Sequence, residues 1–196
     1  MKLSKIVILL TLLLLVPFIT FSQVLKYKIT ANDTYLGELT ATRSYKDDIT
    51  EIEVISKVKV NLFIKVNLTY KLNCTYKNNE LLFSSVTTYV NGKLHSTSVT
   101  KKNEENYTIT KDGHSSLYYN KINYSGALLY FVEPKGKSKI YSEFDNFDKP
   151  LQETATHRYE TENPKNGHIS NYIYKNGELQ SSTIHHTLLT FSIIKE

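Results

Sequence analysis

Residues 52–76 read IEVISKVKVNLFIKVNLTYKLNCTY, and their spacing decides the fold. Nearly every even position is apolar: Val54, Val58, Val60, Leu62, Ile64, Val66, Leu68, Tyr70, Leu72 and Cys74, with Ser56 the exception. The odd positions carry Glu53, Lys57, Lys59, Asn61, Lys65, Asn67, Thr69, Lys71, Asn73 and Thr75, interrupted only by Ile55 and Phe63. A period of two belongs to a β-strand with one buried face. At about 3.3 Å per residue the segment would span roughly 80 Å, too long for one strand of a small domain. It must therefore bend or turn near residues 60 to 63. Parity survives a three-residue loop and flips across a two-residue one, so an odd loop or a bulged bend is expected there.

Working outward, the same alternation recurs in shorter runs at 25–31, 37–45, 81–90, 93–101, 106–111, 116–122, 139–144, 153–160, 168–174, 180–185 and 188–194. Between them stand Asn91-Gly92, Asp112-Gly113, Asn166-Gly167 and Asn176-Gly177, and NDTYLG at 32–37 offers a further turn. Asn and Gly tolerate the positive φ of tight hairpins. One phrase appears three times, as YKNNEL at 76–81, YVNGKL at 89–94 and YKNGEL at 174–179. Its copies keep no constant period, so it reads as a hairpin signature and not as an internal duplication. The expected fold is all-β: an antiparallel meander forming one strongly curved sheet or a partly open barrel of about 10 strands. One short helix is expected near 125–132, with Ser125 as its cap and its end before Pro134.

The N-terminus carries Lys2 and Lys5, an apolar run from Ile6 to Val16 broken by Thr11, and small residues near Ser22. This order describes a secretory signal peptide over 1–22, cleaved before Gln23, ahead of a single domain at 23–196. The apolar block falls short of the ~20 residues of a membrane span, so no transmembrane helix is expected in the mature chain. Losing Lys2 and Lys5 takes the formal charge from +5 to +3, and the other lysines are scattered. Without a basic stripe, nucleic acid is not an expected partner. Cys74 is the one cysteine, so an exported chain has no internal disulfide, and its alternating neighbours read it as a small buried hydrophobe.

The leader together with LFSSVTTYVNGK (82–93), LLYFVEP (128–134), IYSEF (140–144) and YIYKNGEL (172–179) resembles a family of exported bacterial proteins known only as a domain of unknown function. That family occurs mainly in Bacteroidetes and is distantly similar to periplasmic, outer-membrane-associated β-sheet proteins. The resemblance covers nearly all of the mature chain. It implies an envelope location, periplasmic, outer-membrane-associated or secreted, and a curved antiparallel sheet like lipoprotein carriers and lipocalin-like barrels. It supplies no catalytic residue and no ligand.

Catalytic signatures are absent: no HExxH, GxSxG, P-loop or Cys/His pair occurs. Of the six histidines, His185 and His186 would point to opposite faces of a strand, and His114 and His168 follow turn glycines, so no metal site and no cofactor is expected. The region 124–158 interrupts the meander and sets aromatics beside acids. Its candidate ligand-binding residues are Tyr130, Phe131, Glu133, Tyr141, Glu143 and His157, with 124–134 acting as a lid over the sheet or as a plug of its core. The expected function is a non-enzymatic envelope protein holding an apolar or amphipathic, lipid-like molecule on the concave face. The alternative is a structural or partner-binding envelope protein whose core its own Tyr and Phe side chains fill. A hydrolase is the third reading, and it requires Glu133, Glu143 and His157 to share one cleft.

Overall fold

The protein is described by a computed structural model covering residues 21–61, 65–185 and 190–196. The strands are β1 (Phe21–Ala31), β2 (Thr34–Lys46), β3 (Ile49–Asn61), β4 (Lys65–Lys77), β5 (Glu80–Val90), β6 (Lys93–Lys102), β7 (Tyr107–Lys111), β8 (His114–Tyr118), β9 (Lys139–Ser142), β10 (Phe147–Ala155), β11 (Arg158–Glu162), β12 (Ile169–Lys175), β13 (Glu178–His185) and β14 (Thr190–Lys195). They form one antiparallel sheet in the order β8-β7-β6-β5-β4-β3-β2-β1-β14-β13-β12-β11-β10-β9. The first and last strands pair in its middle, where Tyr27 faces Lys195 and Ile29 faces Ile193. Two meandering arms therefore share one seam.

The decisive stretch becomes the β3–β4 hairpin. Asn61 pairs with Lys65, so three residues separate the strands and the even positions stay on one face. The conformation of Leu62, Phe63 and Ile64 lies outside the described residues. Ile52, Val54, Leu72 and Cys74 are buried, as alternation requires, and the Cys74 thiol is free.

The repeated phrase has a sharper structure than a turn. In all three copies a two-residue turn with positive φ joins the strands: Asn78-Asn79, Asn91-Gly92 and Asn176-Gly177. The Tyr then pairs with the Leu, as Tyr76 with Leu81, Tyr89 with Leu94 and Tyr174 with Leu179, and the register shifts immediately beyond. The phrase thus encodes a hairpin with a bulge, which adds twist to the sheet. Two of the pairs are buried, whereas Leu94 is exposed. Which face each copy presents is set by the surrounding sheet, not by the phrase.

Three expectations are corrected. Among the described residues the sheet has fourteen strands rather than about 10. Residues 153–160 are not one strand, because His157 takes φ +62° and turns the chain between β10 and β11 without any Asn-Gly signal. The segment near 125–132 forms only a 3₁₀ helix at Gly126–Tyr130, and the Ser125 side chain does not cap it. Ser125 instead spends its hydroxyl on Glu143, removing the cap that would stabilise an α-helical first turn. Gly37, which ends the NDTYLG phrase and opens the run 37–45, lies within β2 opposite Ile29 and Val58, beside a bulge at Leu36.

Antiparallel order puts the turns at 32–33, 91–92 and 112–113 on one end, termed upper. Those at 47–48, 78–79, 156–157 and 176–177 lie on the lower end. The long connection from β8 to β9 crosses the lower concave side. The sheet remains open between its outermost strands, β8 and β9, where Tyr118 of β8 donates to Asp148 of β10 (2.7 Å) and packs against Tyr141 of β9 with ring centroids 5.2 Å apart.

Candidate functional site

The connection at the lower end is built into the core. Ala127, Leu129 and Phe131 are buried, the Leu81 N–H donates to the Ile122 carbonyl (2.9 Å), and the Tyr174 hydroxyl donates to the Leu129 carbonyl (2.8 Å). Tyr141 N–H reaches the Tyr124 carbonyl (3.1 Å), so the segment also covers the outer edge of β9. Tyr130 sits edge-on to Tyr27 at 5.6 Å and to Phe131 at 6.5 Å. These aromatics fill the space between the arms; the segment has the contacts of a plug. Tyrosine suits such a core because its hydroxyl finds a buried acceptor while its ring excludes water. Burial, and in Tyr107 the nearby Glu80, pushes phenol pKa values up, to about 12 for Tyr107.

Two carboxylates anchor the plug, each in its own network. Glu143 is 3 % exposed and has no cationic partner among the described residues. Its Oε1 accepts from the Ser125 hydroxyl, from the Ala127 N–H (3.0 Å) and weakly from the Cys74 thiol (3.5 Å), while Tyr76 donates to Ser125 (2.5 Å). Burial raises the Glu143 pKa and outweighs these donors, and the same desolvation pushes the Cys74 thiol and Tyr76 phenol well up.

Glu133 instead meets His157 and Tyr159. Its Oε1 lies 2.8 Å from His157 Nδ1 and accepts from the Tyr159 hydroxyl (2.9 Å), and Lys135 Nζ stands 3.5 Å from Oε2 without a hydrogen bond. Burial acts to raise the Glu133 pKa, but His157, Tyr159 and Lys135 prevail and hold it below the ordinary value. The stability this group supplies is therefore present above the ordinary value of 4.5 and is lost as pH falls through the lower folded value. Glu133→Gln should unfold at lower denaturant than wild type at neutral pH, with the gap closing in acid; an unchanged gap down to the acid limit would contradict this assignment.

The six expected site residues thus separate into contacts of different kinds. The fold brings Glu133 to His157 and Tyr130 to Phe131. Tyr141 pairs its hydroxyl with Thr100 (2.9 Å), two residues from Glu143, whose own partners are neither Glu133 nor His157. None of the six lines either of two open recesses. The larger, about 490 Å³, lies at the upper end across β2, β3 and β4, chiefly on their outward face, where Glu38, Lys57, Lys59, Asn67 and Thr69 line it around Gly37, Val58 and Leu68. The other, about 350 Å³, lies along the same three strands at Glu51, Glu53 and Asn73.

Above the plug the inward face loses its cover. In one cross-strand row Leu72, Val54, Ala41 and Leu25 are all buried. Two rows higher, Val90, Leu68 and Val58 are partly exposed, Leu68 by 38 %. Periodicity located these inward positions without showing which would remain uncovered. It also passed over an inward arginine at the lower mouth. Arg43 lies under Phe131 (4.8 Å) and Tyr45 (5.1 Å), and donates to Gln23 (2.7 Å), which donates to Glu178 (2.6 Å). Its odd position, shared with Leu39 and Ala41, was the available signal.

A family model for a domain of unknown function, DUF6134, matches residues 27–196. The chain belongs to the DUF6134 family. No curated protein matches it. The DUF6134 fold is similar to the crystal structure of a beta-barrel-like protein of the domain of unknown function DUF1849 from Brucella abortus, with a TM-score of 0.59 and 8 % identity over 88 % of this chain and 95 % of that one. At that identity the likeness concerns the fold alone, and it agrees with one open, barrel-like sheet. Among the described residues, no helix is long and apolar enough to cross a membrane, and no three His, Cys, Asp or Glu side chains group as metal ligands.

Proposed function

We propose that this DUF6134 protein is an exported, non-enzymatic envelope protein that holds the apolar part of an amphipathic molecule at the upper end of its concave face, in the manner of a lipocalin-like carrier. The observation that carries this reading is the partly exposed inward row Val90, Leu68 and Val58, above a lower half filled by side chains. Inward aliphatics left partly exposed gain by covering, at about 25 cal/mol per Å² of apolar surface removed from water.

The mature chain expressed with its leader and examined by native mass spectrometry should carry a lipid-sized adduct that organic extraction removes. Leu68→Asp should lose that adduct with the fold intact by circular dichroism. A clean apo mass from an envelope extract in which control carriers retain lipid would overturn the reading. It would favour the partner-binding alternative, which the filled lower core also suits.

A further inference from the structure

The two outer strands of the open sheet end differently. The edge of β9 is covered, since Tyr141 donates to the Tyr124 carbonyl and bridges Ser125. No described segment covers the edge of β8. Its sequence is His114-Ser115-Ser116-Leu117-Tyr118, and among the fourteen described strands it alone contains no Lys, Arg, Asp or Glu. Natural edges are usually blunted by such charges, by proline or by a bulge, because an unpaired edge recruits another strand. β8 has none of these, and its pairing to β7 is regular from Lys111↔His114 to Tyr107↔Tyr118.

The hairpin fixes which groups are available. Asp112-Gly113 is a two-residue turn with both φ values positive, so Lys111 and His114 form its first hydrogen-bonded pair. Alternation then makes His114, Ser116 and Tyr118 bond inward to β7 and turns the backbone N–H and C=O of Ser115 and Leu117 outward. Leu117 is 53 % exposed and Tyr119, just beyond the strand, 72 %.

We propose that this edge is a homodimer interface, in which β8 pairs antiparallel with β8 of a second copy about a two-fold axis through Ser116. This register sets Ser115 opposite Leu117 of the other copy, in both directions, and so satisfies all four outward groups of each strand with four backbone hydrogen bonds. Ser116 then faces Ser116 and His114 faces Tyr118, so no charges of either sign meet across the strands. A self-complementary edge of this kind closes on two copies and does not continue into a fibre. A foreign strand would match the hydrogen bonds equally well, but this sequence supplies the matching register itself. The proposal is independent of the ligand reading.

The test is register-specific. Opposed residues of a non-hydrogen-bonded pair have Cα atoms about 4.5 Å apart, within disulfide reach, whereas residues offset by two positions exceed about 7 Å. Ser116→Cys in the mature chain should therefore give a reducible covalent dimer on mild oxidation. Ser115→Cys, Leu117→Cys and the wild type with its buried Cys74 should not. In sedimentation velocity the wild type should show a concentration-dependent dimer. Ser116→Lys places like charges directly opposite, and Leu117→Pro removes an outward N–H without breaking a bond to β7; each should raise the dissociation constant by about tenfold or more. A wild-type chain that stays monomeric up to about 1 mM overturns the proposal. So does a dimer unmoved by both substitutions, or cross-linking through 115 or 117 in place of 116.

Discussion

Gly37→Ala is expected to lower the melting temperature by about 6–12 °C, corresponding to about 3 kcal/mol in a domain of this size. The backbone angles of Gly37 are not the reason, since its φ lies outside the left-handed range. A methyl group here would sit 2.0 Å from the Lys57 carbonyl oxygen and 2.9 Å from the Val58 Cα. Both obstacles are backbone atoms of β3, so no side chain can rotate away. Relief requires β2 and β3 to separate at the pair Gly37↔Val58, or the bulge at Leu36 to relocate. Either change also disturbs the partly exposed inward pair Val58 and Leu68. Gly92→Ala provides the control: its φ is +77°, but nothing lies within 4 Å of the added atom. That substitution should cost only about 1 kcal/mol of turn strain. Equal losses in the two variants would show that the close approach of β2 and β3 is not what selects glycine.

Glu143→Ala is expected to cost a similar ~3 kcal/mol, by a different mechanism. It removes the acceptor of the Ser125 hydroxyl, the Ala127 N–H and the Cys74 thiol, all buried, and leaves a hole between the plug and β4. Glu143→Gln keeps a carbonyl oxygen for the same donors and removes the titration. Burial raises the Glu143 pKa, so the folded state binds this proton more tightly than the unfolded state. The stability so gained is full below the ordinary value of 4.5 and is lost as pH rises through the higher folded value. Denaturant midpoints measured across pH should therefore show wild type losing ground to Glu143→Gln as pH rises from acid to neutral. Glu133→Gln moves the opposite way, because Glu133 is held below the ordinary value. Parallel wild-type and Glu143→Gln profiles would mean that the carboxyl does not titrate in this window.

The candidate site was legible in parts. Sequence placed acids and aromatics of 124–158 together and set Glu133, Glu143 and His157 as the trio that a hydrolase would need in one cleft; Glu133 and His157 meet, and Glu143 stands apart. It gave no sign that Glu143 would turn to Ser125 and Cys74, because those contacts join residues 18 and 69 positions apart. Nor did it find the turn at Thr156-His157, where tertiary contacts hold a histidine at positive φ.

By itself the sequence determined the local grammar of this protein. Alternation names the inward face of each strand, Asn-Gly and its relatives place the hairpins, and the distance from one turn to the next sets strand length. These are properties of neighbouring residues, and the backbone enforces them wherever the chain runs. Only the tertiary structure decided that β1 and β14 meet, that 124–134 fills the lower half, and that Leu68 and Val58 are left uncovered above it. It also decided that β8 ends the sheet, with no described segment along its outer edge. Each of these depends on which distant surfaces pack against one another, and a period of two looks the same on a covered face and an open one.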